Sequence, residues 1–176
     1  MVARVRSGDL DAYAELVNSH APMAVRTAAL LGAGADAEDV VQEAFVKAYR
    51  SLGRYRDGAA FRPWLLRIVA NETRNHHRSA VRRGARERAD FLPPALLDPA
   101  DEVADRERKE QLLAAVAGLP DRLRTVVTCR YLLELDEAET ATTLGLPRGT
   151  VKSRLNRGLA RLRADLVTPG READRV

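Results

Sequence analysis

Cysteine, aromatic residues and long apolar runs are all scarce in this chain of 176 residues, and each scarcity excludes a class of protein. Cys129 is the single cysteine, so one chain can close no internal disulfide and build no thiolate metal site. Aromatics make up 5% against 45% hydrophobic residues, which favours cores of Leu, Val and Ala at helical spacing over β-sandwich packing. No apolar run approaches the ~20 residues needed to span a bilayer. Met1 to Leu10 is polar and charged where a secretory signal has an apolar centre, so a cytoplasmic protein without membrane insertion is expected. There is no glycine-rich phosphate loop, no nucleophile-elbow pattern and no metal-spaced set of ligands. His76 and His77 are adjacent, so on a helix they point in different directions and make a poor metal pair. The expectation is a protein that is not an enzyme, with no catalytic residue, no cofactor and no metal.

What the chain does have is segregated charge. Its net charge is only +4, yet from Arg148 to Arg163 there are six basic residues and no acidic one. This run lies within DEAETATTLGLPRGTVKSRLNRGLARLR (136–163), which reads as two short helices around a tight turn. Ala138, Ala141 and Leu144 repeat at helical spacing, and Gly145 and Pro147 break the pattern. The second helix places Val151, Leu155, Leu159, Leu162 and Leu166 on one face. Its other face carries Lys152, Ser153, Arg154, Asn156, Arg157 and Arg161, with Arg148 just before it. Cations with amide and hydroxyl donors suit a phosphate-lined groove and the base edges inside it. The segment therefore reads as a helix-turn-helix whose first partner to test is nucleic acid. The alternative is a solvated basic face with a glycine that merely caps the preceding helix.

The rest of the chain reads as further helices. Asp9 to Ala29 is helical, with Leu10, Tyr13, Leu16 and Val17 on one face and a break at Pro22; residues 31–35 form a loop. Asp36, with Asp39 three residues on, forms an approximate capping box that opens a helix running to about Leu52. Val41, Ala44, Phe45, Ala48 and Leu52 point inward there, while Glu38, Asp39, Gln42 and Glu43 form an acidic edge. That edge repels nucleic acid and could present carboxylates to a basic protein partner, or simply match the helix macrodipole. A loop from Gly53 to Ala60 leads into a helix from Phe61 to about Ser79, with Phe61, Trp64, Leu65, Ile68 and Val69 as its apolar stripe. Arg67, Asn71, Arg74, Asn75 and Arg78 fall at i, i+4, i+7, i+8 and i+11, opposite that stripe, and Arg82, Arg83, Arg86 and Arg88 extend the charge. Trp64 is read as core, with stacking on an unpaired base as the alternative. From Gly84 to Ala104 the periodicity fails; Pro93, Pro94 and Pro99 with Asp98, Asp101, Glu102 and Asp105 make a linker. It returns at Leu112, Leu113, Val116 and Leu119, breaks at Pro120, and resumes from Asp121 to about Leu133. The expected fold is all-α: two small helical domains joined by a flexible linker, the C-terminal one a helix-turn-helix. The boundaries fall at 1–83, 84–106 and 107–168, with a tail at 169–176.

Three stretches, in this order, resemble a known family: DAEDVVQEAFVKAYR (36–50), FRPWLLRIVANETRNHHRSAVRR (61–83) and LGLPRGTVKSRLNRGLARLR (144–163). The chain resembles an extracytoplasmic-function sigma factor, the smallest kind of bacterial RNA polymerase sigma subunit, over roughly residues 8–166. The resemblance implies core RNA polymerase and promoter DNA as partners, with an anti-sigma factor as a further partner class. It gives Asp36, Asp39, Gln42 and Glu43 a role in binding core polymerase. It assigns Arg67, Asn71, Arg74, Asn75, His76, His77 and Arg78 to the −10 element, and Arg148, Thr150, Lys152, Ser153, Arg154 and Arg157 to the −35 element. The acidic linker would thread along polymerase toward the RNA exit path. Thr140 stands where the family usually has Ile in the first helix of the motif. The residues His76 to Ala80 match no specificity loop that translates into bases. The chain also lacks the aromatic cluster of primary sigma factors, which implies dependence on a good promoter. The runner-up is a dimeric helix-turn-helix regulator that binds duplex DNA without core polymerase, and the acidic helix speaks against it.

Overall fold

The computed structural model describes residues 1–56, 58–82 and 103–167; most of the expected linker, Arg83, Arg86 and Arg88 with it, and the C-terminal tail lie outside the described residues. Among the described residues eight α-helices run in the order α1 (Val2–Arg6), α2 (Leu10–Ala28), α3 (Ala37–Ser51), α4 (Phe61–Arg82), α5 (Val103–Gly118), α6 (Asp121–Val127), α7 (Glu137–Leu144) and α8 (Arg148–Val167), and there is no strand. They divide into two compact units, α1–α4 together with Thr142–Gly145 in one, and α5, α6, the rest of α7 and α8 in the other. Val103 to Arg106, expected in the linker, form the first turn of α5.

In the N-terminal unit, α2 begins because the Asp9 carboxylate accepts the Ala12 N–H at 2.9 Å, and Arg4 pairs with the same carboxylate at 2.8 Å. The Ala12 amide, and then Arg4, hold the Asp9 carboxyl below its ordinary value. This cap therefore contributes fully above the unfolded carboxyl value near 3.9 and is lost as pH falls through the lower folded value. Pro22 does not end the helix, as its sequence position suggested: α2 runs through it to Ala28. Leu16, Ala24 and Ala28, on both sides of the proline, are buried in one core, and that burial outweighs a single lost backbone hydrogen bond. Val40, Val41, Ala44, Phe45 and Ala48 of α3, with Leu65 and Val69 of α4, complete the core. Its many alanines let three helix backbones approach closely.

The expected loop at 31–35 is instead wound into a wide π-type turn, Ala29–Ala33, and a tight 3₁₀ turn, Gly34–Asp36. Gly32 and Gly34 have φ of 105° and 56°, which glycine adopts at little cost. Arg6 of α1 reaches back to the chain after α3, where its guanidinium donates to the carbonyls of Leu52 and Tyr55.

The C-terminal unit has a smaller core of Val116, Leu119, Leu123, Val127 and Leu162. Gly158, mid-way along α8, is buried where this helix meets α6. Leu166, assigned to the inner face by periodicity, is 44% exposed, because the last turns of α8 run past the core. The helix expected from Asp121 to Leu133 is α6 followed by a π-type turn, Thr128–Leu132. Cys129 is buried in that turn, and burial pushes its thiol up to about 12, so it stays protonated and unreactive at neutral pH.

Thr128 and Thr140 are fully buried with hydroxyls that lack a hydrogen-bond partner. A buried hydroxyl left unbonded costs stability, which gives the Thr140 departure a physical meaning. Thr140→Val removes the hydroxyl and keeps the shape. It is expected to stabilise the chain by about 1 kcal/mol, read as a higher denaturant midpoint at unchanged slope. An equal or lower midpoint would show that the hydroxyl is satisfied in solution.

Candidate functional site

The outer edge of α3 carries Glu38, Asp39, Gln42 and Glu43, all exposed, with the two acids of the first turn matching the helix dipole. Asp36 departs from its expected role. It sits at the N-cap position, but its φ of −86° and ψ of 11° are not the extended geometry of a capping residue, and its side chain caps nothing. The backbone of the preceding turn does that work, the Ala37 N–H bonding to Gly34 O. The Asp36 carboxylate lies instead 3.4 Å from Nε2 of His76 on α4. One residue from each of two expected contact sets is thus turned toward the other.

The acidic edge continues into apolar surface that charge reading missed. Val46 and Tyr49, further along α3, are 42% and 41% exposed, and Leu10 at the start of α2 is 65% exposed. With Tyr13, Val17 and Phe45 they line an open groove of about 730 Å³ between α2 and α3. Its floor is held by Tyr13, whose hydroxyl donates to the Phe45 carbonyl at 2.5 Å and whose ring lies 4.9 Å from that of Tyr49. Burial pushes the Tyr13 hydroxyl up to about 12, so it remains a donor. Period-3.6 spacing assigns Val46 and Tyr49 to a helix face, but not to water.

On α4, Arg67, Asn71, Arg74, Asn75, His77 and Arg78 are exposed, while His76 is half-buried by its approach to Asp36. The buried side of this helix is Leu65, Leu66, Val69, Ala70 and Thr73. Trp64 does not lie opposite the Arg and Asn face, as expected, but seven residues before Asn71 and on the same side. It is half-buried, packed edge-on against Tyr55 at 5.3 Å and tilted against Phe61 at 5.4 Å. Three aromatic rings therefore do gather at the start of the basic face, part-way into the core. The ion pair of Lys47 with Glu72 joins α3 to α4.

In the C-terminal helices, α7 begins with a reciprocal capping box between Asp136 and Glu139. The Glu139 N–H bonds the Asp136 carboxylate at 2.8 Å, and the Asp136 N–H bonds the Glu139 carboxylate at 2.9 Å. Its end is closed by Gly145 at φ 66° with the Leu146 N–H on the Ala141 carbonyl at 2.9 Å, a Schellman turn. The Pro147 carbonyl then accepts the Thr150 N–H at 2.9 Å as α8 starts. The geometry is that of a helix-turn-helix. Of the expected contacts on α8, Arg148, Lys152, Ser153 and Arg157 are exposed, whereas Thr150 and Arg154 are half-buried at its flank.

Comparison with known proteins places these parts. The model of Sigma-70 region 2 matches residues 16–83, and that of Sigma-70, region 4 matches residues 109–162. The extracytoplasmic-function (ECF) RNA polymerase sigma factor SigW of Bacillus subtilis is 31% identical over 94% of this chain and 94% of its own length. The chain belongs to the ECF sigma factors. The ECF sigma-E factor of Escherichia coli K12 is also 31% identical, over 89% of this chain and 87% of its own. Among solved structures, CnrH in complex with the cytosolic domain of CnrY superposes on this sigma factor with a TM-score of 0.69 at 27% identity, covering 94% of each chain. The sigma factor RpoE of Bartonella quintana, in complex with the anti-sigma factor NepR, has the same fold: TM-score 0.69, 21% identity, 89% of this chain and 97% of that one. Among the described residues, no helix is long and apolar enough to cross a membrane.

Proposed function

We propose that this sigma factor holds core RNA polymerase through the outer edge of α3, reads the −10 promoter element with the exposed face of α4, and reads the −35 element with α8. The observation that carries this reading is the separation of surface charge by helix. The exposed edge of α3 presents Asp39, Gln42 and Glu43, while α4 and α8 present Arg, Lys, Asn and Ser. Carboxylates that would repel DNA suit a basic protein surface and steer docking. Guanidinium and carboxamide groups suit phosphates and base edges.

Asp36 and His76 hold α3 against α4 in this reading and are not free contacts, so the docking set contracts to Asp39, Gln42 and Glu43, with the apolar groove beside them. An anti-sigma factor belongs among the partners, and that groove offers a helix of either protein partner an apolar seat. Residues 1–83 form the docking and −10 domain, and the −35 domain begins with α5 at Val103 rather than at 107 and runs to 168. The chain acts by binding and positioning, and the chemistry of RNA synthesis belongs to the polymerase.

The test is transcription from genomic promoter fragments by purified core polymerase with and without the full chain. Specific transcripts that require both components are expected. Tight binding to palindromic duplex DNA without polymerase, and no polymerase-dependent transcription, would overturn the reading in favour of a free-standing regulator.

A further inference from the structure

The outward side of α8 is not the set of residues that charge alone selects. At about 100° per residue, the buried Val151, Gly158 and Leu162 mark the inner side of the helix, and Gly149, Ser153, Asn156 and Ala160, all exposed, lie across from them. Arg148 and Lys152 fall to one flank, and the half-buried Thr150 and Arg154 to the other. Arg157 stands next to Ser153, but its guanidinium is drawn back along the helix, Nε donating to the Ser153 carbonyl at 3.2 Å.

Most of this outward arc has little power to tell bases apart. Gly149 has no side chain and Ala160 only a methyl group. The Ser153 hydroxyl donates to the Thr150 carbonyl at 3.1 Å, and a serine hydroxyl serves purines and pyrimidines alike. Asn156 is different, because its carboxamide presents an acceptor and a donor side by side from the middle of the arc. Adenine offers the complementary pair in the major groove: its N6 amino group donates to Oδ1 while its N7 accepts from Nδ2. The small residues two turns before Asn156 and one turn after it leave the helix free to sink to base depth there. Charge alone selects the cations of this helix, and Asn156 lies outside the expected −35 set.

We infer that Asn156 is the residue through which this sigma factor selects adenine at one position of the −35 element, with Lys152 and Arg154 on the flanking phosphates. The inference rests on α8 being the −35 helix. The experiment uses the full chain with core polymerase on promoter templates that carry each of the four bases at every −35 position. The unmodified chain is expected to favour adenine at one position by about 5- to 150-fold. Asn156→Ala should flatten the preference at that position and keep those at the others. Asn156→Arg should convert it to guanine, the base whose O6 and N7 match a guanidinium. Because Asn156 is exposed and both replacements favour helix, these variants keep the fold. A base profile unchanged in both variants, or an equal loss from all templates, overturns the inference. If the unmodified chain shows no base preference anywhere in the −35 element, the assignment of α8 itself fails, and that outcome is distinct from the first two.

Discussion

Gly158→Leu is expected to unfold the C-terminal helices and abolish −35-dependent transcription, while the N-terminal unit keeps its structure. A Cβ placed on Gly158 would lie 2.8 Å from Cγ2 of Val127 on α6, closer than carbon atoms approach, and 3.8 Å from the Leu123 carbonyl and Cβ. Val127 cannot swing aside, because it is itself buried among Leu123, Leu162 and their neighbours and its branched side chain is stiff about χ1. In an open helix, Gly→Ala would add about 1 kcal/mol of stability. Here overpacking of about 1–3 kcal/mol opposes that gain, so Gly158→Ala should be mildly destabilising. Leucine has to place three further carbon atoms in the same space, and a core this small has little reserve. The measurement is far-UV circular dichroism against guanidinium, with hydrogen exchange of α6 and α8 amides. A Gly158→Leu midpoint equal to that of the unmodified chain would mean the two helices do not pack as described.

The second large effect concerns polymerase. Asp39→Lys combined with Glu43→Lys is expected to weaken binding to core by about 2 kcal/mol or more, roughly thirtyfold. These residues are one helical turn apart on the same exposed edge of α3, so on the proposed docking surface the pair would turn two attractions into two repulsions. Each exposed pair alone contributes little, and the like-charge contacts make up most of the loss. The effect should shrink as salt rises and screens the surface charges. Binding of a labelled chain to core polymerase at two ionic strengths measures it. Unchanged affinity at low salt would remove Asp39 and Glu43 from the docking surface. The control is the thermal unfolding of the variant, which should hold, since neither side chain is buried.

Much of the fold was legible because helical periodicity and helix ends are local properties. The inward residues of α3, Val41, Ala44, Phe45 and Ala48, are buried as their spacing requires. Gly145 and Pro147 do separate two helices, and the sign of charge on each exposed face is as the residues spell it. The errors came where a local rule met a contact distant in the chain. Pro22 should break a helix, and a core spanning both sides of it keeps that helix whole. Asp36 has the type and place of a cap, and an approach to His76, forty residues away, takes its carboxylate instead. Helical spacing assigns Trp64 to the inner stripe, yet α2 and α3 cover α4 on the side of Leu65 and Val69, leaving the indole at the margin with Tyr55.

Composition, period and charge order were thus enough to establish an all-α chain with an acidic helix, a basic Arg and Asn helix and a basic helix-turn-helix. All three are written residue by residue along the chain. Which surfaces are free for a partner was decided only when the helices packed. The groove of Leu10, Val46 and Tyr49, the contact that forbids a side chain at Gly158, and the central place of Asn156 on α8 each depend on what lies across from a helix face. Exposure is a relation between helices far apart in sequence, and no single helix carries that information in its own residues.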